Sequence, residues 1–129
     1  MKIERFKRES PEGLIIIQCQ FPNHGFALAI DTGASHTTID LTALMIAGFE
    51  LRNSIRTEQI ETASGIVEAY VFCVPQFTAL GITKTNIEIC AYDFFAHHVL
   101  IEFDGVLGLD FLGEHHFCID FRNSEIRID

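Results

Sequence analysis

The stretch Phe26–Ser35, which reads FALAIDTGAS, decides the fold of this chain. Its first five residues are a short apolar run typical of a strand, and Asp31-Thr32-Gly33-Ala34-Ser35 follows as a tight loop at the strand end. A chain that leaves a packed strand in this way presents the Asp31 carboxylate on a rigid support, which is what a reacting group needs. Because Gly33 has no side chain, its amide can come close to that carboxylate. We therefore treat Asp31 as the candidate catalytic residue.

Short β-prone runs surround this stretch on both sides. A first hairpin is predicted from Gly13–Phe21 and Phe26–Ile30 across the turn Pro22-Asn23-His24-Gly25. A longer second hairpin is predicted from Arg52–Thr62 and Ile66–Phe77, with the small residues Ala63-Ser64-Gly65 at its tip. Further strands are predicted over Lys84–Tyr92, Val99–Phe103, Phe117–Phe121 and Glu125–Ile128.

Only two segments favour helices. Asp40–Gly48 predicts a short helix with Asp40 as its cap and Gly48 at its end. Asp110–His115 predicts one or two helical turns, capped by Asp110. Many short strands with one or two short helices predict an all-β fold.

Length and charge limit the function classes. The chain has 129 residues, of which 48% are apolar and 21% charged, so one globular domain is expected. We predict that this domain covers residues 13–129 and that residues 1–12, with four basic side chains, form a solvated N-terminal tail. A formal charge of −9 disfavours nucleic-acid binding. Apolar runs too short to cross a bilayer exclude an integral membrane protein.

The first residues and the cysteines favour the cytoplasm. Met1–Ser10 reads MKIERFKRES, which lacks the apolar segment of a signal peptide. The cysteines lack CxxC spacing and each lies beside apolar residues, so we expect four buried, reduced thiols: Cys19, Cys73, Cys90 and Cys118. Two disulfides in an exported protein are the alternative.

The order of these motifs resembles the retropepsin-like aspartic proteases. An apolar strand, Asp31-Thr32-Gly33-Ala34 and an extended Thr37-Thr38-Ile39 are similar to the active-site signature of that family. The helix at Asp40–Gly48, the second hairpin and Val106-Leu107-Gly108 also follow in the family's order. The continuation Leu109-Asp110-Phe111-Leu112 looks most like the cellular and bacterial single-domain members. The triplet alone is a weak signal, since Asp and Gly often serve a simple turn or a phosphate loop.

The resemblance implies a role for each matching residue. The fold would be an acid-protease barrel with one lobe per chain, and Asp31 would activate a water that attacks an extended peptide. Thr32 would hydrogen-bond to the loop of a second copy, Gly33 and Ala34 would shape the loop, and three residues would support it from beneath: Val106, Leu107 and Gly108. The second hairpin would close over the substrate as a flap, using Thr62, Ala63, Ser64, Gly65 and Ile66. No cofactor is implied.

A single Asp-Thr-Gly predicts a homodimer. Hydrolysis by carboxylates needs two of them, about 3 Å apart and sharing one proton. The aspartates Asp104, Asp110 and Asp120 lack the Thr-Gly sequel, so the second carboxylate would be Asp31 of another copy on a two-fold axis. If the C-terminal hairpin forms the interface, Ile126→Asp should abolish activity and dimer together. The alternative function is a non-proteolytic dimerisation or peptide-binding module of the same fold.

Two further expectations concern pH and metals. Ala34 lacks the hydroxyl that could donate to the Asp31 carboxylate, so we expect a working range from mildly acidic to neutral pH. The pairs His97-His98 and His115-His116 do not predict a metal site, because adjacent residues of a strand point to opposite faces. His116 and Cys118 do share a face, but we favour packed or solvated side chains over zinc.

Overall fold

The computed structural model describes residues 1–62, 65–94 and 102–129, and these are mostly strands. The strands are β1 (Lys2–Arg5), β2 (Ile16–Phe21), β3 (His24–Ile30), β4 (Thr38–Asp40), β5 (Arg56–Thr62), β6 (Gly65–Ala79), β7 (Ile82–Tyr92), β8 (Gly105–Leu107), β9 (Phe117–Asp120) and β10 (Glu125–Ile128). The helices of the described residues are α1 (Leu41–Ile46), α2 (Leu109–Leu112) and a single 3₁₀ turn at Leu51–Asn53. The predicted all-β class with short helices is confirmed.

Seven strands form one sheet that closes on itself. Their order is β2-β3-β8-β4-β7-β6-β5, and an additional pairing of β2 with β6 joins the ends of a six-stranded barrel, leaving β5 outside. Closure removes the unpaired edges that an open sheet would expose. The interior is filled by fully buried apolar side chains, the largest being Phe26, Phe72, Phe77, Leu28, Ile39, Leu44, Leu80, Ile89 and Leu107.

The pairing of β3 with β8 positions the start of the loop Asp31–Ser35. These two strands run parallel, with Leu28 opposite Gly105 and Ile30 opposite Leu107. β4 lies on the other side of β8 and pairs with it antiparallel. Both strands that flank the Asp31 loop therefore rest on β8, which comes from the far end of the chain.

The N-terminal residues differ from the predicted solvated tail. Strand β1 pairs antiparallel with β10, which pairs with β9 to make a separate three-stranded sheet. Phe6 is buried in the main core. Of the four basic residues that favoured a solvated tail, Lys2 and Arg5 lie on β1 with exposed side chains, so their charges do not prevent pairing.

The other elements largely follow the sequence. Asp40 caps α1 by accepting a hydrogen bond from the Ala43 amide, and Gly48 ends the turn with φ of +103°. The second hairpin forms from β5 and β6, although Leu51–Asn53 is a 3₁₀ turn where the strand was expected to begin. Of the strand predicted over Val99–Phe103, residues 99–101 lie outside the described part, and Phe103 is in a bend.

The expectation of four buried thiols is half wrong. All four cysteines are free, but only Cys19 and Cys90 are buried, whereas Cys73 and Cys118 are exposed. Burial, followed by the charge of Glu4, raises the pKa of the Cys19 thiol to about 12. No helix of the described residues is long and apolar enough to cross a membrane.

Candidate active site

The Asp31 carboxylate lies where the barrel opens, immediately after β3. The Asp31 amide donates to the Leu107 carbonyl at 3.0 Å, which continues the β3–β8 ladder by one residue. The Gly33 amide donates to Asp31 Oδ1 at 2.9 Å, and the Ala34 amide donates to the Asp31 carbonyl at 3.2 Å. Thr32 and Gly33 are exposed, and Asp31 is half-buried. The loop thus fixes one carboxylate oxygen while its outer surface stays open to a partner or a substrate.

The segment after β8 supports this loop from beneath. The Leu109 amide donates to the Ala34 carbonyl at 2.8 Å. At Gly108, a Cβ atom would lie only 2.7 Å from the His36 carbonyl carbon and 2.8 Å from the Ala34 oxygen. Two backbones therefore pass closer together here than any side chain would allow.

Asp110 links the segment after β8 to the segment that follows the Asp31 loop. It does not cap α2 as predicted. Both its oxygens accept from the Thr37 amide at 2.9 Å, and Oδ1 also accepts from the Thr37 hydroxyl at 2.7 Å. That hydroxyl in turn accepts from the Gly108 amide at 3.1 Å. The cap position of α2 is Gly108, which has no side chain. This link could not be predicted from local sequence, because Asp110 and Thr37 are 73 residues apart.

The flap expected from the resemblance falls partly outside the described residues. Strands β5 and β6 pair up to Thr62 opposite Gly65, so a hairpin is present where the flap was predicted. Gly65 has φ of +108°, a conformation that favours glycine, and Ile66 is 71% exposed. Ala63 and Ser64 lie outside the described residues. The role of the hairpin stays a prediction.

A cavity of about 160 Å³ lies beside Asp31. It is formed where the Asp31 loop, β8 and the hairpin strand β5 meet, and its walls are mainly apolar. The lining residues are Asp31, Ala34, His36, Thr38, Ile60, Glu61, Phe94 and Val106. The cavity has the size and the position to receive one aliphatic side chain of a bound chain.

The aspartates that lack the Thr-Gly sequel are engaged elsewhere. Asp104 accepts a hydrogen bond from the Ala27 amide at 2.9 Å. Asp120 accepts from the amide and the side chain of Asn123, which lowers the pKa of Asp120 below its usual range. With Asp110 bound to Thr37, none of these three is free to act with Asp31.

The described histidines and cysteines do not form a metal cluster. Cys118 Sγ lies 3.6 Å from His116 Nε2, as their shared strand face predicts. The part of the chain that the structure describes holds no group of three or more potential ligands. His97 and His98 lie outside the described residues.

The closed barrel, the strand-end aspartate and the crossing Gly108 segment together define the acid-protease class of fold. A family model described as aspartyl protease matches residues 17–111, which is well over half of the chain. The chain therefore belongs to the aspartyl protease family. It is similar to the crystal structure of a retropepsin-like aspartic protease from Rickettsia conorii, with 21% identity and a TM-score of 0.70 over 100% of this chain and 99% of that one. None of the curated proteins compared with this chain matches it.

Proposed function

We propose that this chain is an aspartic endopeptidase that hydrolyses extended peptides with a pair of Asp31 carboxylates, one from each subunit of a homodimer. The observation that carries the proposal is the Asp31 loop, which holds one carboxylate on a rigid support and leaves its surface exposed. Membership of the aspartyl protease family supports the same chemistry.

The mechanism follows from placing two such carboxylates on a two-fold axis. Two carboxyls about 3 Å apart cannot both ionise, so the pair shares a proton and titrates as a unit. The ionised member takes a proton from a water as it attacks the scissile carbonyl. The protonated member gives its proton to the carbonyl oxygen, which forms a tetrahedral intermediate with two hydroxyl groups. As the C–N bond breaks, the proton taken from the water passes to the departing amine, and a hydroxyl proton of the intermediate returns to the other carboxylate as the product acid forms. Neither step requires a metal or a cofactor.

The proposal includes a second subunit because the sequence has a single Asp-Thr-Gly, whereas hydrolysis by carboxylates needs a pair. The aspartates Asp104, Asp110 and Asp120 are bound to backbone amides in the barrel and its turns. Small residues at Ala34 and Ser35 leave room for two loops to meet. The monomer would then be inactive, and dimerisation would control activity through concentration.

The other predicted site residues complete the proposal. Thr32 would bond to the partner loop, and Val106, Leu107 and Gly108 would hold the loop in place. The hairpin tip, with Thr62, Ala63, Ser64, Gly65 and Ile66, would close over the peptide and bind its backbone. Apolar walls beside Asp31 favour substrates with an aliphatic side chain near the scissile bond.

The first experiment is cleavage of a peptide library, read by mass spectrometry from pH 3 to pH 8 at several protein concentrations. We expect wild-type cleavage that falls faster than linearly on dilution and that disappears in Asp31→Asn. The pH scan also tests the mildly acidic to neutral range predicted from Ala34, and an optimum below about pH 3.5 would refute that range.

The matched control is Glu50→Gln, which removes an exposed carboxylate just before the 3₁₀ turn at Leu51–Asn53 and should keep activity. Cleavage that survives Asp31→Asn would contradict the proposal. A folded wild-type dimer that cleaves nothing would instead favour the non-proteolytic binding module of the same fold.

A further inference from the structure

Beyond Asp31 and its supports, one polar side chain of the loop reaches the hairpin. His36 Nδ1 lies 2.8 Å from the Ser35 hydroxyl oxygen, and His36 Nε2 lies 3.5 Å from Glu58 Oε1 on β5. The imidazole also lines the cavity beside Asp31. It is thus the described side chain that connects the candidate catalytic loop, the cavity wall and the strand that leads to the hairpin tip.

Glu58 is itself held in position by a neighbouring arginine. Arg56 donates to Glu58 Oε2 at 3.1 Å and to Glu88 Oε1 on β7 at 2.9 Å. Hydrogen bonds from Arg56 keep the pKa of the Glu88 carboxyl below its usual range. The Glu58 carboxylate therefore has a basic partner other than His36.

The contacts of His36 differ between its two charge states. The Ser35 hydroxyl can donate to a neutral Nδ1 or accept from a protonated one, so it suits both. At 3.5 Å, by contrast, Nε2 and Glu58 are at ion-pair distance and beyond a good hydrogen bond. The attraction to Glu58 therefore depends mainly on the imidazolium charge, and imidazole ordinarily changes its charge between pH 5 and pH 8.

Several other charged groups surround this contact. Asp31 on the same loop and Glu61 on β5 line the same cavity as His36, and Arg56 on β5, Glu88 on β7 and Asp110 on α2 carry the other charges nearby. The buried Cys90 thiol lies among them, and its pKa is raised to about 12 by burial and then by Glu58. His36 is the histidine among these groups, and imidazole is the type of side chain whose charge ordinarily changes near neutral pH.

We propose that His36 is a positioning residue whose protonated imidazole ties the Asp31 loop to the hairpin through Glu58, so that peptide binding weakens as pH rises through neutrality. This inference rests on the proposed function. The pair is about one third exposed on each side, and pairs of this kind have small energies. The expected effect is therefore a modest change in KM, with kcat governed by the Asp31 pair.

The test compares the KM of one cleaved peptide at pH 5.5 and pH 8. We expect the wild-type KM to rise by about two- to five-fold over this interval. His36→Gln keeps a polar side chain but has no titrating group, so its KM should stay nearly constant. Glu58→Gln should flatten the response in the same way, and the double variant should add nothing further. His24→Gln, which removes a histidine at the end of β3 opposite Asp31, is the control and should behave as wild type.

An unchanged KM ratio in His36→Gln would overturn the proposal. So would a flattened ratio in His36→Gln with a wild-type ratio in Glu58→Gln, because the effect would then not pass through Glu58. Failure of the proposed function gives a different result, because cleavage would then persist in Asp31→Asn.

Discussion

At Gly108 the backbone of the site leaves no room for even a methyl group. The backbones of Ala34 and His36 lie within 2.8 Å of where its Cβ would stand, and real Cβ contacts are essentially never that short. The glycine is not needed here for an unusual φ. It is needed because two backbone segments touch here, and this contact fixes the position of the Asp31 loop relative to the segment after β8.

Gly108→Ala should damage activity more than stability. The added methyl must push the Asp31 loop away, and a misplacement near 1 Å can cost about a hundred-fold in rate. Overpacking of this kind costs about 1–3 kcal/mol in the free energy of unfolding. Peptide cleavage and thermal unfolding measure the two effects.

Gly25→Ala is the control for this prediction. Its Cβ would meet the Gln20 side-chain oxygen at 3.2 Å, which can move aside, and it lies at the opposite end of β3. Wild-type kcat/KM in Gly108→Ala would show that the loop does not depend on this close approach.

Among the elements, strand β1 carries Glu4, whose charged form disfavours the packing of the strand against β10. Glu4 stands opposite Ile126, which is fully buried, and no described group is hydrogen-bonded to its buried Oε2 atom. Burial raises the pKa of Glu4 above its usual range. The neutral carboxyl therefore suits the folded strand better than the carboxylate does.

Glu4→Gln should stabilise the protein at neutral pH. The folded pKa of Glu4 is raised, so its contribution to stability is full below the unfolded pKa and is lost as pH rises through the folded pKa. The variant should unfold at a higher denaturant concentration than wild type at pH 7, and the difference should vanish below about pH 4. Glu12→Gln, an exposed glutamate outside β1, should show no such difference.

The elements differ in how well the sequence predicts them. Strand β3, helix α1 and the β5–β6 hairpin depend on local patterns of apolar residues, caps and turns, so they could be predicted. The hydrogen bonds of Asp110 and the pairing of β1 with β10 could not be predicted, because their partners are remote along the chain. The local pattern predicts Asp110 as a helix cap, whereas in the structure Asp110 accepts a hydrogen bond from Thr37. Thiol burial failed for a similar reason, since neighbouring residues do not show which face of a strand is covered.

For the molecule as a whole, the predicted interface at the C-terminal hairpin needs a different test residue. Ile126 is fully buried in the core of one chain, so Ile126→Asp would unfold the monomer before it could report on a dimer. On the β1-β10-β9 sheet, Ile3 is opposite Arg127, which is opposite Cys118. Ile3 is 58% exposed and can be changed without opening the core.

Ile3→Asp should separate the subunits and leave each fold intact if this sheet forms the interface. Sedimentation would show a monomer, and cleavage would be lost at concentrations where wild type is active. Ile46→Asp on α1, at an isoleucine that is 75% exposed, should leave both measurements unchanged. An active dimer of Ile3→Asp would place the interface elsewhere.

The parallel pairing of β3 with β8 also has a consequence in time. Asp31 is synthesised early, but the Leu107 carbonyl that holds its amide and the Gly108 backbone that supports its loop are added more than 70 residues later. Pairings between such distant segments form slowly, because the intervening chain must first be brought together. We therefore expect the aspartate to remain unplaced on a nascent chain until β8 has emerged. A growing polypeptide would then carry the reactive residue through most of its synthesis without being able to cut its neighbours.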